Sequence, residues 1–164
     1  MSFIRIKKRS YGASGEAAYA YLVENRWSKA KARQRVKQYL GRVYSSDKQP
    51  VDFFSYLGIT DLDSYMSKDF LAVLADLVSW ELHQHRHDEV TVNVSECRVA
   101  HDGRCIVVKM NDGYLCDFTM QQIIKAHKTL LEDVPGNELA TAFVNAGIAI
   151  PKELFVELYS KLHR

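Results

Sequence analysis

Hydrophobic and polar positions alternate strictly at the start of the chain. Over residues 3–9, Phe3, Arg5, Lys7 and Arg9 fall on one side of an extended strand, and Ile4, Ile6 and Lys8 on the other. Tyr11-Gly12-Ala13-Ser14-Gly15 has the composition of a turn. Residues 17–24 hold Tyr19, Tyr21, Leu22 and Val23, a β-favouring set, and predict a second strand. Asn25-Arg26-Trp27-Ser28 predicts the next turn, and residues 31–44 a third, longer strand that bends or ends near Gly41. Short connections join neighbouring strands, so the expected assembly is a three-stranded antiparallel meander.

The texture changes at Pro50. Residues 51–57 predict a short helix closed by Gly58, and residues 60–66 a further helical turn begun by Asp61 and Asp63. Ser67 is the expected N-cap of the next helix, with Asp69 near its positive end. That helix, residues 70–82, is apolar on most faces and is the expected core helix. A β-rich stretch comes next. Residues 90–94 alternate, His101-Asp102-Gly103 marks a turn, and residues 105–110 form a strand. Asn111-Asp112-Gly113 turns it back through residues 114–118. Thr119 is the expected cap of a helix through Leu131, broken by Pro135-Gly136. A helix over 138–145 ends at Gly147. Pro151 opens a last helix with a stripe of Leu154, Phe155, Leu158, Tyr159 and Leu162.

These elements predict an α+β fold: a basic N-terminal three-stranded antiparallel sheet plus a helical core containing a second small β-meander. The natural division is residues 1–46 and 47–164, either as two modules or fused into one compact domain.

Charge sharpens that division. Residues 1–50 carry 12 Lys and Arg against 3 acids, a net of +9, and the remainder is −7. The overall +2 conceals a segment that attracts polyanions. No apolar run approaches the roughly 18–20 residues that span a bilayer, and the alternating N-terminus lacks the apolar stretch of a secretory signal, so a cytoplasmic protein without a membrane partner is expected. Cys97, Cys105 and Cys116 are odd in number and form no CxxC pair, which predicts buried free thiols rather than disulfides.

The third strand has the sharpest chemistry. Arg33, Arg35 and Lys37 fall on one face, with Ala32, Val36 and Leu40 on the other. If Arg5, Lys7 and Arg9 share the exposed face, one side of the sheet holds six cations. Three strands at about 4.8 Å spacing make a sheet roughly 10 Å across, comparable to a major groove about 12 Å wide. Arginine suits paired hydrogen bonds to phosphate or guanine, and lysine acts as a point charge. Arg26 and Trp27 at the turn, with Tyr19 or Tyr21, add a cation and rings that stack on a base or pack on sugar. The competing expectations are a plain solvated face, or one neutralised by acidic residues of this chain or of a partner.

The series Tyr19-Ala20-Tyr21-Leu22-Val23-Glu24, Lys31-Ala32-Arg33-Gln34-Arg35-Val36 and Gln38-Tyr39-Leu40-Gly41 resembles the N-terminal segment of DDE-type transposases of bacterial and archaeal insertion sequences. In that family a tyrosine-rich strand ending in Leu-Val-Glu precedes a basic Arg-Gln-Lys/Arg-Val strand and a Tyr-Leu-Gly close. The resemblance covers about forty residues within 3–44. It implies a nucleic-acid-facing module and favours DNA over RNA. It does not imply transposition, which needs separated carboxylates holding two metal ions in a larger core. Nothing in the order of Asp61, Asp63, Asp76 and Asp88 brings them together.

Other constellations are weaker. His83 and His87 have the i, i+4 spacing of helical zinc pairs, but the position between them lacks the zinc-protease glutamate, and histidines at a helix C-terminus suit its dipole. The last helix carries Lys152, Glu153, Glu157 and Lys161, a mixed face unsuited to phosphate, so packing or a homodimer contact is expected there. No P-loop, dinucleotide fingerprint or nucleophile elbow is present, so neither a cofactor nor a catalytic residue is assigned. The expected function is non-catalytic nucleic-acid binding. The alternative is a protein–protein interaction module, or an oligomeric subunit, whose basic sheet meets an acidic partner.

Overall fold

The alternation over residues 3–9 becomes strand β1 (Ser2–Ser10), which pairs antiparallel with β2 (Glu16–Ser28) from Ser2↔Glu24 to Ser10↔Glu16. The computed structural model describes residues 1–28, 31–130 and 137–162. β2 does not turn at Asn25-Arg26-Trp27-Ser28, as expected, but continues to Ser28, which pairs with Lys31 at the start of β3 (Lys31–Ser45). β1 stops pairing at Ser2, so residues 25–28 and 31–34 run on as a two-stranded ribbon, solvent-exposed on both faces. At about 3.4 Å per residue it extends some 13 Å beyond β1.

The second half supplies α1 (Phe53–Leu57), α2 (Leu62–Tyr65), α3 (Phe70–Gln84), β4 (Thr91–Asn93), β5 (Arg98–His101), β6 (Arg104–Met110), β7 (Gly113–Leu115), α4 (Asp117–Leu130), α5 (Asn137–Ala146) and α6 (Lys152–Leu162). The fold is α+β, as the pattern predicts. The two β regions are not separate sheets: β3 pairs in parallel with β6 over Arg42↔Ile106 to Ser45↔Lys109, and the strand order is β1-β2-β3-β6-β5-β4, with β7 on β6. One mixed sheet therefore runs across residue 46.

The run Ile106-Val107-Val108 is continuously apolar because β6 is covered on both faces. Val107 packs with Ala20, Leu22, Leu40 and Cys116, beside Ile4, Ile6 and Val43. Ile106 and Val108 face the larger core, which gathers Leu74 and Leu77 of α3, Met120 and Ile123 of α4, Phe143 of α5 and Leu154 of α6. Leu154 and Leu158 of the expected apolar stripe are thus buried within this chain. The Leu162 side chain, Leu131 and the expected break at Pro135-Gly136 lie outside the described residues. No helix among the described residues is long and apolar enough to cross a membrane.

Several local expectations are corrected. The cap of α3 is Asp69, whose carboxylate accepts from the Ala72 N–H at 2.8 Å, while the Ser67 hydroxyl donates to the Ser64 carbonyl. Thr119 is not the cap of α4 but lies inside its first turn, accepting from the Cys116 N–H. Asp61 does cap α2, with Asp63 in its first turn. Of the three thiols, Cys116 alone is buried; Cys97 is half-buried, and Cys105 is exposed at the edge of a cleft beside β6. Asp69→Ala removes the cap acceptor and should cost about 1 kcal/mol, lowering the melting temperature by roughly 2–4 °C. Ser67→Ala should leave it nearly unchanged. Thermal unfolding of the two variants checks the assignment.

Candidate nucleic-acid interface

Which side chains share a face of the N-terminal sheet is set by its register. β1 and β2 pair odd-numbered residues with odd: Lys7 with Tyr19 and Arg5 with Tyr21. The Ser28↔Lys31 closure makes β2 and β3 pair residues of opposite parity at the ribbon end: Glu24 with Arg35 and Arg26 with Arg33. Directly opposed residues lie on one face. The six expected cations are therefore split. Arg5, Lys7 and Arg9 stand with Tyr19 and Tyr21, and Arg33 and Arg35 stand on the opposite face with Arg26. Lys37 joins the second group, with its ammonium 3.5 Å from the Ser2 hydroxyl and 3.9 Å from Glu24.

The two faces differ in kind. The face of Arg33 and Arg35 is covered near the core by Ile4, Ile6, Leu22 and Val43, and its cations are partly answered by Glu24, which also pairs with Arg26 at 3.6 Å. The face of Arg5, Lys7 and Arg9 is open and aromatic. The Lys7 ammonium sits 5.0 Å from the Tyr21 ring centre, and the Arg9 guanidinium 5.7 Å from that of Tyr19. Arg5 donates to the Gln34 side chain. Among the described residues, no carboxylate lies within ion-pair range of Arg5, Lys7 or Arg9.

Tyr39 completes this face because β3 is irregular. Register shifts between Ala20 and Tyr21 and between Leu22 and Val23 leave Leu40 and Lys37 without direct partners. Each extra residue reverses the faces of the strand residues beyond it. The first shift turns Tyr39 onto the tyrosine side, opposite Tyr21. The second restores the parity that places Arg35 and Arg33 on the other side. The Tyr39 ring lies 5.4 Å from Tyr21 and 6.4 Å from Tyr19, tilted by 52° and 40°, and the residue is 53% exposed. Tyr19 shares a 3.0 Å hydroxyl hydrogen bond with Tyr11. That bond raises the Tyr19 phenol above its ordinary range, and partial desolvation raises that of Tyr39. Both rings are neutral at physiological pH.

Gly41 lets the open face meet the rest of the sheet. A Cβ at this position would stand 2.6 Å from the Cys105 carbonyl oxygen and 2.9 Å from the Ile106 Cα. Glycine therefore lets β3 press against β6. Beside this junction lies a cleft of about 930 Å³, with Tyr19, Tyr39, Arg42 and Tyr44 on the sheet side and His101, Asp102 and Arg104 on the β5–β6 turn. Arg42 sits 5.5 Å from the Tyr44 ring centre, and His101 meets the edge of that ring at 6.3 Å. A shallower hollow of about 330 Å³ over Arg9, Tyr11 and Tyr21 shares Tyr19 and Tyr39 with the cleft. The two form one continuous surface.

Trp27 is 82% exposed on the ribbon, opposite Ala32 and on the same face of β2 as Tyr19 and Tyr21. The histidine pair does not form a site. α3 ends at Gln84, and Arg86 takes a positive φ of 55°, so His83 and His87 leave the common helix face. His83 bonds Asp88 at 2.9 Å and stacks on Tyr56; His87 is buried against the Ser46 hydroxyl at 3.1 Å. Among the described residues, no cluster of His, Cys, Asp and Glu could hold a metal ion. Cys105 is no ready nucleophile, since desolvation and the neighbouring Asp117 carboxylate raise its thiol pKa.

Tyr39, Arg42, Tyr44, His101 and Arg104 were not expected at the site. The odd numbering shared by Arg5, Lys7, Arg9, Tyr19 and Tyr21 was a usable signal, but the shift at Leu40 and the β3–β6 pairing leave none. No protein-family model, curated protein or solved structure matches this chain.

Proposed function

We propose that this protein binds nucleic acid without catalysis, through the open face that carries Arg5, Lys7 and Arg9 beside Tyr19, Tyr21 and Tyr39. The observation that carries this reading is a row of cations unanswered by carboxylates, next to the half-buried Tyr19 and Tyr21 and the exposed Tyr39. A merely solvated face needs no aromatic row, and an intramolecularly neutralised one would hold acids within reach. Cations beside stacking rings match a phosphate backbone and its bases. DNA is the favoured nucleic acid because residues 3–44 resemble the N-terminal segment of insertion-sequence transposases. Arg26, Trp27, Arg33, Arg35 and Lys37 form a secondary contact along the ribbon.

Fluorescence anisotropy of labelled DNA across a salt series tests this. Each neutralised phosphate releases counterions, so affinity should fall steeply with salt. The triple variant Arg5→Gln, Lys7→Gln, Arg9→Gln should weaken binding on the order of tenfold or more and flatten the logarithmic salt slope by about two. Arg33→Gln with Arg35→Gln should flatten it less. Binding that ignores salt, or that survives the triple variant intact, contradicts the reading and returns the face to a protein partner.

A further inference from the structure

We infer that the nucleic acid taken by this face is single-stranded, with its bases laid on Tyr19, Tyr21 and Tyr39 and its phosphates along Arg5, Lys7 and Arg9. This rests on the proposed nucleic-acid binding and narrows it. Tyr19 and Tyr21 lie two residues apart on one face of β2, about 6.7 Å along the strand. Lys7 and Arg9 repeat that spacing on β1, about 4.8 Å to the side. The surface therefore has a ring row and a parallel charge row, in step with each other. Lys7 and Arg9 already sit over the Tyr21 and Tyr19 rings. A base reaching those rings brings its own phosphate to the same cations.

A duplex cannot stack on the ring row, because its base faces are buried inside the helix and only base edges and phosphates reach a sheet. A single strand exposes every base face. The Tyr39 ring is tilted 40° from Tyr19 and 52° from Tyr21 rather than stacked on either. The charge row spans about 13 Å from Arg5 to Arg9, room for roughly two or three extended nucleotides. Beyond Tyr39 the strand enters the 930 Å³ cleft, where Arg42 and Arg104 meet a further phosphate and Tyr44 a further base. That volume lies in the usual range of about 300–1,000 Å³ for small-ligand sites.

The test compares labelled dT12, its dT12·dA12 duplex and rU12 by anisotropy at one salt concentration. The proteins are wild type, Tyr21→Ala with Tyr39→Ala, and Tyr21→Phe with Tyr39→Phe, each checked by circular dichroism and melting. The expected result is dT12 binding at least about tenfold tighter than the duplex. The alanine pair should lose about tenfold or more on dT12, with stacking retained in the phenylalanine pair. Duplex binding as tight as single-strand binding overturns the inference and leaves nucleic-acid binding standing. So does a dT12 affinity untouched by the alanine pair. Binding of none of the three probes overturns both. Tighter binding of rU12 supports the single-strand surface and replaces DNA with RNA as its ligand.

Discussion

Glu81→Ala lowers the unfolding free energy by about 3 kcal/mol, seen as a lower urea midpoint with an unchanged slope. Glu81 is a fully buried acid on α3. One carboxylate oxygen accepts the Ala149 N–H at 2.9 Å, between α5 and α6, and the other faces the Lys48 ammonium at 3.4 Å. Lys48 belongs to the extended segment joining β3 to α1, and α3 grips that segment repeatedly. Gln84 accepts the Val51 N–H through its side chain and the Gln49 N–H through its backbone, and the Trp80 indole donates to the Val51 carbonyl. Removing the carboxylate leaves the Ala149 N–H unanswered, frees Lys48 and takes the acid away from the buried His85 ring 3.6 Å from it. Lys48 is part-exposed and can turn to water, so the loss falls at the lower end of what breaking a buried pair costs. Glu81→Gln keeps an acceptor for Ala149 and should lose about half as much. An alanine variant as stable as wild type would show that the segment is held by its backbone alone.

This cluster also marks where sequence reading stops. α3 was legible as the core helix because its apolar positions run through successive turns. The role of Glu81 within it was not, because Lys48 and Ala149 lie 33 and 68 positions away in the chain and only His85, at 3.6 Å, is a neighbour on the helix. Local signals fared according to their range. Gly58 closing α1, Asp61 opening α2 and the Asp102-Gly103 turn were all readable from neighbours alone. Ser67 and Asp69 both had cap chemistry, and geometry alone chose between them. The parallel joining of β3 to β6 spans more than sixty residues and has no short-range signature.

The site divides in the same way. Charge asymmetry pointed to the N-terminal sheet, and strict alternation grouped Arg5, Lys7 and Arg9 correctly. Adding Arg33 and Arg35 to that group required the hairpin register, which depends on where β2 turns. A turn expected at residues 25–28 obscures the Ser28↔Lys31 closure that sets the parity. Tyr39 was hidden for a different reason: an extra residue in a strand leaves the alternation of the sequence intact while reversing the faces in space. The shift that costs β3 its regular ladder at Leu40 is the same one that brings a third ring to the open face.

Gly113→Ala should remove most of the protein's stability, about 4 kcal/mol or more, although it adds one methyl group. Gly113 opens β7 and pairs with Met110 across the β6–β7 hairpin. A Cβ there would overlap the Val144 and Asn145 carbonyl oxygens at the end of α5 and the Gly147 nitrogen. All three are backbone atoms and cannot swing aside as a side chain would. Gly147 is pressed in return against the Met110 carbonyl, so hairpin and helix end cross with no space between them. Gly103→Ala isolates the other reason for glycine. Its φ is +73° but open space surrounds it, so alanine there should cost only about 1–2 kcal/mol of backbone strain. Circular dichroism melts and soluble yield separate the two variants. A Gly113→Ala protein melting within about 2 °C of wild type would show that the hairpin can slide off α5. That outcome would reach the interface as well. β6 carries Met110 at one end of the crossing and supports β3 through Arg42↔Ile106 and its neighbours at the other, so the strand that bears Tyr39 and Arg42 is held in place through β6 from that crossing.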